Sequence, residues 1–185
     1  MSKTLKVIGV LMILMILLRG FIYRMTVEYE KIGERPAIEI EDDKLIQMID
    51  SISRDREIDL NEIVEISSLI TRKNLRFTFE KADKDPNQLI YTRKGSCVGY
   101  AAMFNSIADY LIEQNDLEDE YESSHLVGRL RFMGIDVHRL SDDPFFKDHD
   151  FNEIVNLDTG ERINIDPTVN DYSGISKISR RRPEN

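Results

Sequence analysis

An apolar run near the start of the sequence limits how much chain is left for a folded domain. Residues 7–18 are apolar without interruption, two lysines precede them, and residues 21–23 continue the run beyond Arg19. As a helix, residues 7–23 would span roughly 25 Å, slightly less than the hydrocarbon core of a bilayer. The run therefore predicts a transmembrane signal anchor over residues 1–24.

A cleaved secretory signal peptide is the main alternative for this run, and a buried core helix is the third. Signal peptides have a basic start and an apolar stretch of about 7–15 residues, but they end at a small-residue cleavage site. The residues after Arg19 are bulky, which favours an uncleaved anchor, and the flanking charges disfavour a core helix. Basic residues occur on both sides of the run, so the positive-inside count leaves the orientation open. We predict a membrane-anchored domain outside the cytoplasm, either periplasmic or on the cell surface.

The rest of the 185-residue chain is long enough for one domain, and 41% apolar residues can fill one core. A formal net charge of −9 argues against nucleic acid as a partner, because the phosphate backbone favours clustered Lys and Arg. The one basic cluster, residues 180–182, is typical of a solvated tail. We expect a tether over residues 25–42, the domain over 43–175 and a basic C-terminal tail over 176–185.

Helical patterns precede strand patterns along this domain. Apolar residues recur at helical spacing over residues 45–52, 59–74 and 97–114, whereas alternation typical of strands covers 126–137, 151–157 and 162–166. This order predicts an α+β domain in which helices pack on an antiparallel sheet.

The sole cysteine, Cys97, begins the third of these helices. It cannot form an internal disulfide, and one thiol with three scattered histidines does not readily build a zinc site. A lone cysteine is often a small buried hydrophobe. The first turn of a helix, however, favours a thiolate through its unpaired N–H groups and the helix dipole. Both interpretations, buried hydrophobe and nucleophile, remain open on this evidence.

A nucleophilic thiol needs a base, and His125, His138 and His149 are the candidates. His149 starts one predicted strand and Asp166 ends the next, with a turn near their midpoint. An antiparallel hairpin would bring the two side chains within a rung or two, where Asp166 can orient the imidazole. Taken singly, a surface histidine and an ordinary strand-ending turn would explain these two residues better.

Three short motifs resemble those of one family. The stretch GSCVGYA at 95–101 resembles a G-x-C-x-x-[YF]-A nucleophile motif, HDFNEI at 149–154 resembles H-x-[WF]-x-E-[IV], and INIDPT at 163–168 resembles an aspartate motif that commonly reads D-P-T. In this order they are similar to the transglutaminase-like superfamily, relatives of papain-type cysteine proteases. The similarity spans residues 94–168, with Phe151 at a position where the family often has Trp.

The resemblance implies a Cys97 nucleophile, His149 as general base and then acid, and Asp166 as the orienting group. It implies acyl transfer through a thioester on a protein or peptide substrate, with hydrolysis favoured over cross-linking, and requires no cofactor or metal ion. Tyr91 and Gln88 are the candidates for a second oxyanion donor. A catalytically inactive peptide-binding module of the same fold and a membrane-anchored assembly factor are the alternatives.

Overall fold

The computed structural model of the protein describes residues 3–181. Its elements follow the chain in this order: α1 Lys3–Thr26, β1 Val27–Arg35, α2 Asp43–Ser53, α3 Leu60–Asn74, β2 Arg76–Phe77, α4 Pro86–Thr92, β3 Lys94–Gly95, α5 Cys97–Gln114, β4 Tyr121–Phe132, β5 Ile135–Asp136, two 3₁₀ turns at Val137–Leu140 and Pro144–Phe146, β6 His149–Asn156, β7 Arg162–Ile165, α6 Pro167–Ser173 and β8 Ser179–Arg180. The predicted α+β class is confirmed.

The main sheet has the strand order β7-β6-β4-β1-β8, and the short β5 pairs with β4 at one end. Among the described strands of this sheet, β8 runs parallel to β1 and the other pairs are antiparallel. The sheet is therefore mixed, although its three longest strands match the predicted antiparallel arrangement. A second, two-stranded parallel sheet joins β2 to β3 beside the start of α5.

The core lies between the helices and one face of this sheet. Asp42 and Asp59 cap α2 and α3, and each accepts hydrogen bonds from two backbone amides of the first turn. Ile66 of α3 and Phe104 of α5 are fully buried in one apolar cluster with Ile154 of β6. The apolar face of α5 thus fixes the position of this helix against the strand that begins with His149.

The segment expected to be a tether, residues 25–42, contains β1 instead. Eight residue pairs join β1 to β4, and Tyr29 is fully buried, so the folded domain begins at residue 27 rather than 43. Charged residues occupy many positions of this strand, which hides its alternation in the sequence. Part of the expected C-terminal tail is also folded, because Ile178 is buried and β8 pairs with β1. Residues 182–185 lie outside the described chain.

Among residues 3–181, α1 is the one helix long and apolar enough to cross a membrane. The apolar span, Val7–Thr26, has a mean hydropathy of 2.1, and none of its residues is fully buried, although Tyr23 near its end packs against the domain. By length and composition this helix fits a membrane anchor or a signal sequence.

Candidate active site

Cys97 lies in the first turn of α5, directly after β3. Ser96 precedes the helix in an extended conformation, and its side chain makes no capping hydrogen bond within the described chain. The first-turn amides of α5 therefore lack a side-chain cap and remain available to a negative charge. Only 8% of Cys97 is exposed, and this residue lines a cavity.

His149 and Asp166 are brought together by the β6–β7 hairpin. Asn152 pairs with Ile165, which places Asp166 two residues along the ladder from His149. The distance from His149 Nε2 to Asp166 Oδ2 is 2.6 Å. Asp166 thereby occupies Nε2, which leaves Nδ1 as the imidazole nitrogen that can exchange a proton with a thiol.

The charges of this pair stabilise each other in a buried setting. Burial by itself lowers the pKa of His149, but the carboxylate of Asp166 and a hydrogen bond and charge interaction with Cys97 overcome it, so the pKa of His149 is well above its ordinary value. Burial raises the pKa of Asp166, yet the charge and hydrogen bonds of its partners hold it below the ordinary range. An imidazolium beside an ionised carboxylate is therefore the favoured state near neutral pH.

Tyr29 is a site residue that sequence reasoning missed. Its hydroxyl donates to Asp166 Oδ2 at 2.6 Å, and a 2.7 Å hydrogen bond joins it to the hydroxyl of Tyr23 in α1. The other carboxylate oxygen, Oδ1, accepts from the backbone N–H groups of Thr168 and Val169 at the start of α6. Both oxygens of Asp166 are therefore held in place. The sequence does carry a signal for Tyr29, because Val27 and Tyr29 alternate with Glu28 and Glu30 as in a strand. The prediction of a tether over residues 25–42 overlooked this pattern.

The cavity beside Cys97 and His149 has a volume of about 390 Å³ and a mostly apolar lining. Its walls carry a cluster of phenylalanine rings, contributed by Phe77, Phe79, Phe145 and Phe146. Two buried polar atoms of lining residues, Thr168 Oγ1 and His138 Nε2, have no hydrogen-bond partner among the described residues. The cavity is therefore mostly apolar, and the Cys97 thiol, the His149 imidazole and these two polar atoms belong to residues that line it.

A larger cavity of about 610 Å³ lies elsewhere, between residues 37–40, α5 and the start of β4. Its lining includes Asp109, Glu113 and Glu122 but neither Cys97 nor a histidine. The thiol and the imidazole selected by the sequence analysis therefore both line the smaller cavity. Within the described residues, no three His, Cys, Asp or Glu side chains are grouped so that they could hold a metal ion.

The other two histidines have different surroundings from His149. His125 Nε2 lies 2.8 Å from Asp150 Oδ2 in a buried cluster that Arg35 completes. Arg35 and Asp150 balance each other's charge, and the His125 ring is hydrogen-bonded to the same carboxylate, which is a structural role. His138 lies on the wall of the cavity, with Nδ1 2.6 Å from the carbonyl of Phe146.

Neither predicted candidate for the second oxyanion donor reaches the site. The Tyr91 hydroxyl donates to Asp42 on the surface, where the ammonium of Lys44 lies over the tyrosine ring. Tyr91 and Gln88 are both absent from the described residues that line the cavity. For Tyr91 the expectation fails because α4 presents this side chain towards α2 rather than towards Cys97.

No protein-family model matches the sequence, and no curated protein is significantly similar to it.

Proposed function

We propose that this protein is a membrane-anchored thiol enzyme of the transglutaminase-like type, which transfers acyl groups through a Cys97 thioester. The observation that carries the proposal is the grouping of Cys97, in an uncapped first helical turn, with the His149–Asp166 pair. A nucleophile, a base and a group that orients the base are the three parts such chemistry requires.

The proposed reaction begins with a thiolate at Cys97 and an imidazolium at His149. The thiolate attacks the substrate carbonyl, a C–S bond forms, and the negative charge moves to the carbonyl oxygen. The backbone N–H of Cys97 is the donor proposed to stabilise that oxyanion. His149 then gives its proton to the leaving amine as the C–N bond breaks. In the second half-reaction His149 removes a proton from water as this water attacks the thioester. The C–S bond then breaks, which releases the carboxylic acid and restores the Cys97 thiolate beside the His149 imidazolium.

The lining of the cavity supports a substrate with a large apolar group next to the reacting carbonyl. Phenylalanine rings surround a volume that suits an aromatic or branched side chain. The unpartnered Thr168 Oγ1 and His138 Nε2 can bind the polar backbone of a peptide. We therefore favour hydrolysis of a peptide or amide bond, with cross-linking to an amine as the variant reaction.

The contacts of α1 support an anchor that is retained rather than cleaved. Its residue Tyr23 completes the hydrogen-bond chain that runs through Tyr29 to Asp166. Cleavage after α1 would remove this partner from the active site. We propose that the domain lies outside the cytoplasm, at the surface of the membrane that α1 crosses.

The test uses the full chain in detergent and an aryl ester of an N-acetylated phenylalanine as acyl donor. Intact-mass spectrometry detects the acyl-enzyme and absorbance detects the released phenol. Cys97→Ala and His149→Ala are expected to abolish the adduct, whereas Tyr91→Phe, on the surface, is expected to leave it unchanged. An adduct that persists in Cys97→Ala would contradict the proposal, provided that each variant unfolds at the temperature of the wild type.

A non-catalytic peptide-binding module is the second candidate, favoured by the lack of an assigned second oxyanion donor. Such a module would bind the same peptide in the cavity without forming a covalent adduct. Binding of N-acetyl-phenylalanine amide by calorimetry, together with no acyl-enzyme in the wild type, would select this alternative.

A further inference from the structure

The last two turns of α1 are attached to the domain by polar contacts. The guanidinium Nε of Arg19 donates to the carbonyl of Ser173 at the end of α6, at 2.7 Å. The backbone N–H of Met133 donates to the carbonyl of Thr26, also at 2.7 Å. Before these contacts, residues 7–18 project from the domain with their large apolar side chains exposed.

The projecting part of α1 is too short to cross a bilayer by itself. A helix that crosses the bilayer must therefore include the residues of α1 that contact the domain. At 1.5 Å per residue, the free apolar residues 7–18 span roughly 18 Å, whereas the hydrocarbon core is about 30 Å thick. The whole apolar span, Val7–Thr26, has 20 residues and matches this thickness. If α1 crosses the membrane, the face of the domain beside residues 19–26 has to lie at the bilayer surface.

The β4–β5 hairpin is part of that face, and its tip is apolar and exposed. Phe132 pairs with Val27, the first residue after α1, so the hairpin lies directly beside the end of the helix. Met133 is 72% exposed and Ile135 is 63% exposed, with Gly134 completing the tight turn at φ 83°. Adjacent exposed apolar side chains of this kind typically mark an interaction surface.

We infer that the hairpin tip, residues 132–135, inserts into the interface of the same bilayer that α1 crosses. The base of the hairpin is compatible with this position, because the charge of Arg131 is neutralised by Glu30, 2.8 Å away. The hairpin is also flanked by two residues of the cavity wall, Leu130 and Val137. The cleft therefore opens next to the membrane surface, and the peptide that it accepts is membrane-associated; this last step rests on the proposed function.

The chain contains no tryptophan, so a single introduced tryptophan is a clean fluorescent probe. The experiment uses full-length Met133→Trp, reconstituted in phosphatidylcholine vesicles with ordinary or brominated acyl chains. Leu157→Trp is the matched control, because Leu157 is also exposed but lies in the turn after β6, at the opposite end of β4. The 12 residues of β4 separate the two probes by roughly 36 Å.

Since interfacial apolar groups lie ~5–10 Å into the headgroup–acyl boundary, brominated lipid is expected to lower the emission of Met133→Trp by about two-fold or more. The emission of Leu157→Trp is expected to stay unchanged. Ile135→Trp provides a second tip position if Met133→Trp does not fold. Absence of quenching at the tip, or equal quenching at Leu157, would overturn the inference. Acyl-enzyme formation is measured on the same samples, so that a failure of the insertion and a failure of the thiol chemistry are distinguished.

Discussion

Replacing Tyr29 by phenylalanine tests whether the buried hydrogen-bond chain holds Asp166 in its ionised, oriented state. The substitution removes one hydroxyl that donates to Asp166 Oδ2 at 2.6 Å and keeps the ring that packs against Phe151. His149 still donates to the same oxygen, so no carboxylate oxygen is left without a partner. The hydroxyl of Tyr23 also loses its acceptor. The expected loss is therefore at least that of one hydrogen bond to a charged group, about 1.5–3 kcal/mol.

For a protein of this size, a loss of ~2 kcal/mol lowers Tm by roughly 4–8 °C. The effect depends on pH in a defined direction. The folded state lowers the pKa of Asp166, so its contribution to stability is present above the unfolded pKa, near 4, and is lost as pH falls through the folded value. Removing the Tyr29 hydrogen bond raises that folded pKa. The stability deficit of Tyr29→Phe is thus expected to be largest near neutral pH and to shrink in acid.

Thermal unfolding followed by circular dichroism in detergent, from about pH 3 to pH 8, measures both quantities. Tyr91→Phe is the matched control, because its hydroxyl also donates to a carboxylate, Asp42, but on the exposed surface. Its Tm is expected to equal that of the wild type. If Tyr29→Phe matches the wild type near neutral pH, or its deficit does not depend on pH, the hydrogen bond does not stabilise the ionised carboxylate and the reasoning is refuted.

Two further predictions concern packing within the sheet and ionisation in the larger cavity. Gly128→Ala is expected to destabilise the sheet by about 1–3 kcal/mol in urea titrations, since its Cβ would lie 2.6 Å from the ring of Phe151 and 3.0 Å from the carbonyl of Glu30. Asp109 has its pKa raised to about 7 by burial and by the charge of Glu113. Its ionisation therefore costs stability progressively as pH rises from the unfolded pKa, near 4, to about 7, and the full cost is present above that pH. Asp109→Asn is therefore expected to raise Tm relative to the wild type at about pH 8 and to change it little at about pH 4; an equal gain at both would contradict this assignment.

The helices could be predicted because local patterns determine them. The carboxylates of Asp42 and Asp59 cap α2 and α3, and the regular spacing of apolar residues in α5 reflects one buried face. The approach of His149 to Asp166 was also within reach, since a short antiparallel hairpin brings its ends together whatever the rest of the fold. The order of the three motifs along the chain then predicted that Cys97 belongs to the same site as His149 and Asp166.

The contribution of β1 could not be predicted in the same way, because it depends on pairing between residues about a hundred positions apart in sequence. The strand reads as charged, yet its charges are used by distant partners: Arg35 joins Asp150, and Glu30 joins Arg131. Tyr29, by contrast, is uncharged and fully buried: its ring lies in the core and its hydroxyl donates to Asp166. Only the folded structure reveals that this residue joins the apolar helix α1, through Tyr23, to the proposed catalytic carboxylate of Asp166. The position of α1 and the ionisation of the site are therefore linked by one hydrogen-bonded chain, which local sequence patterns do not encode.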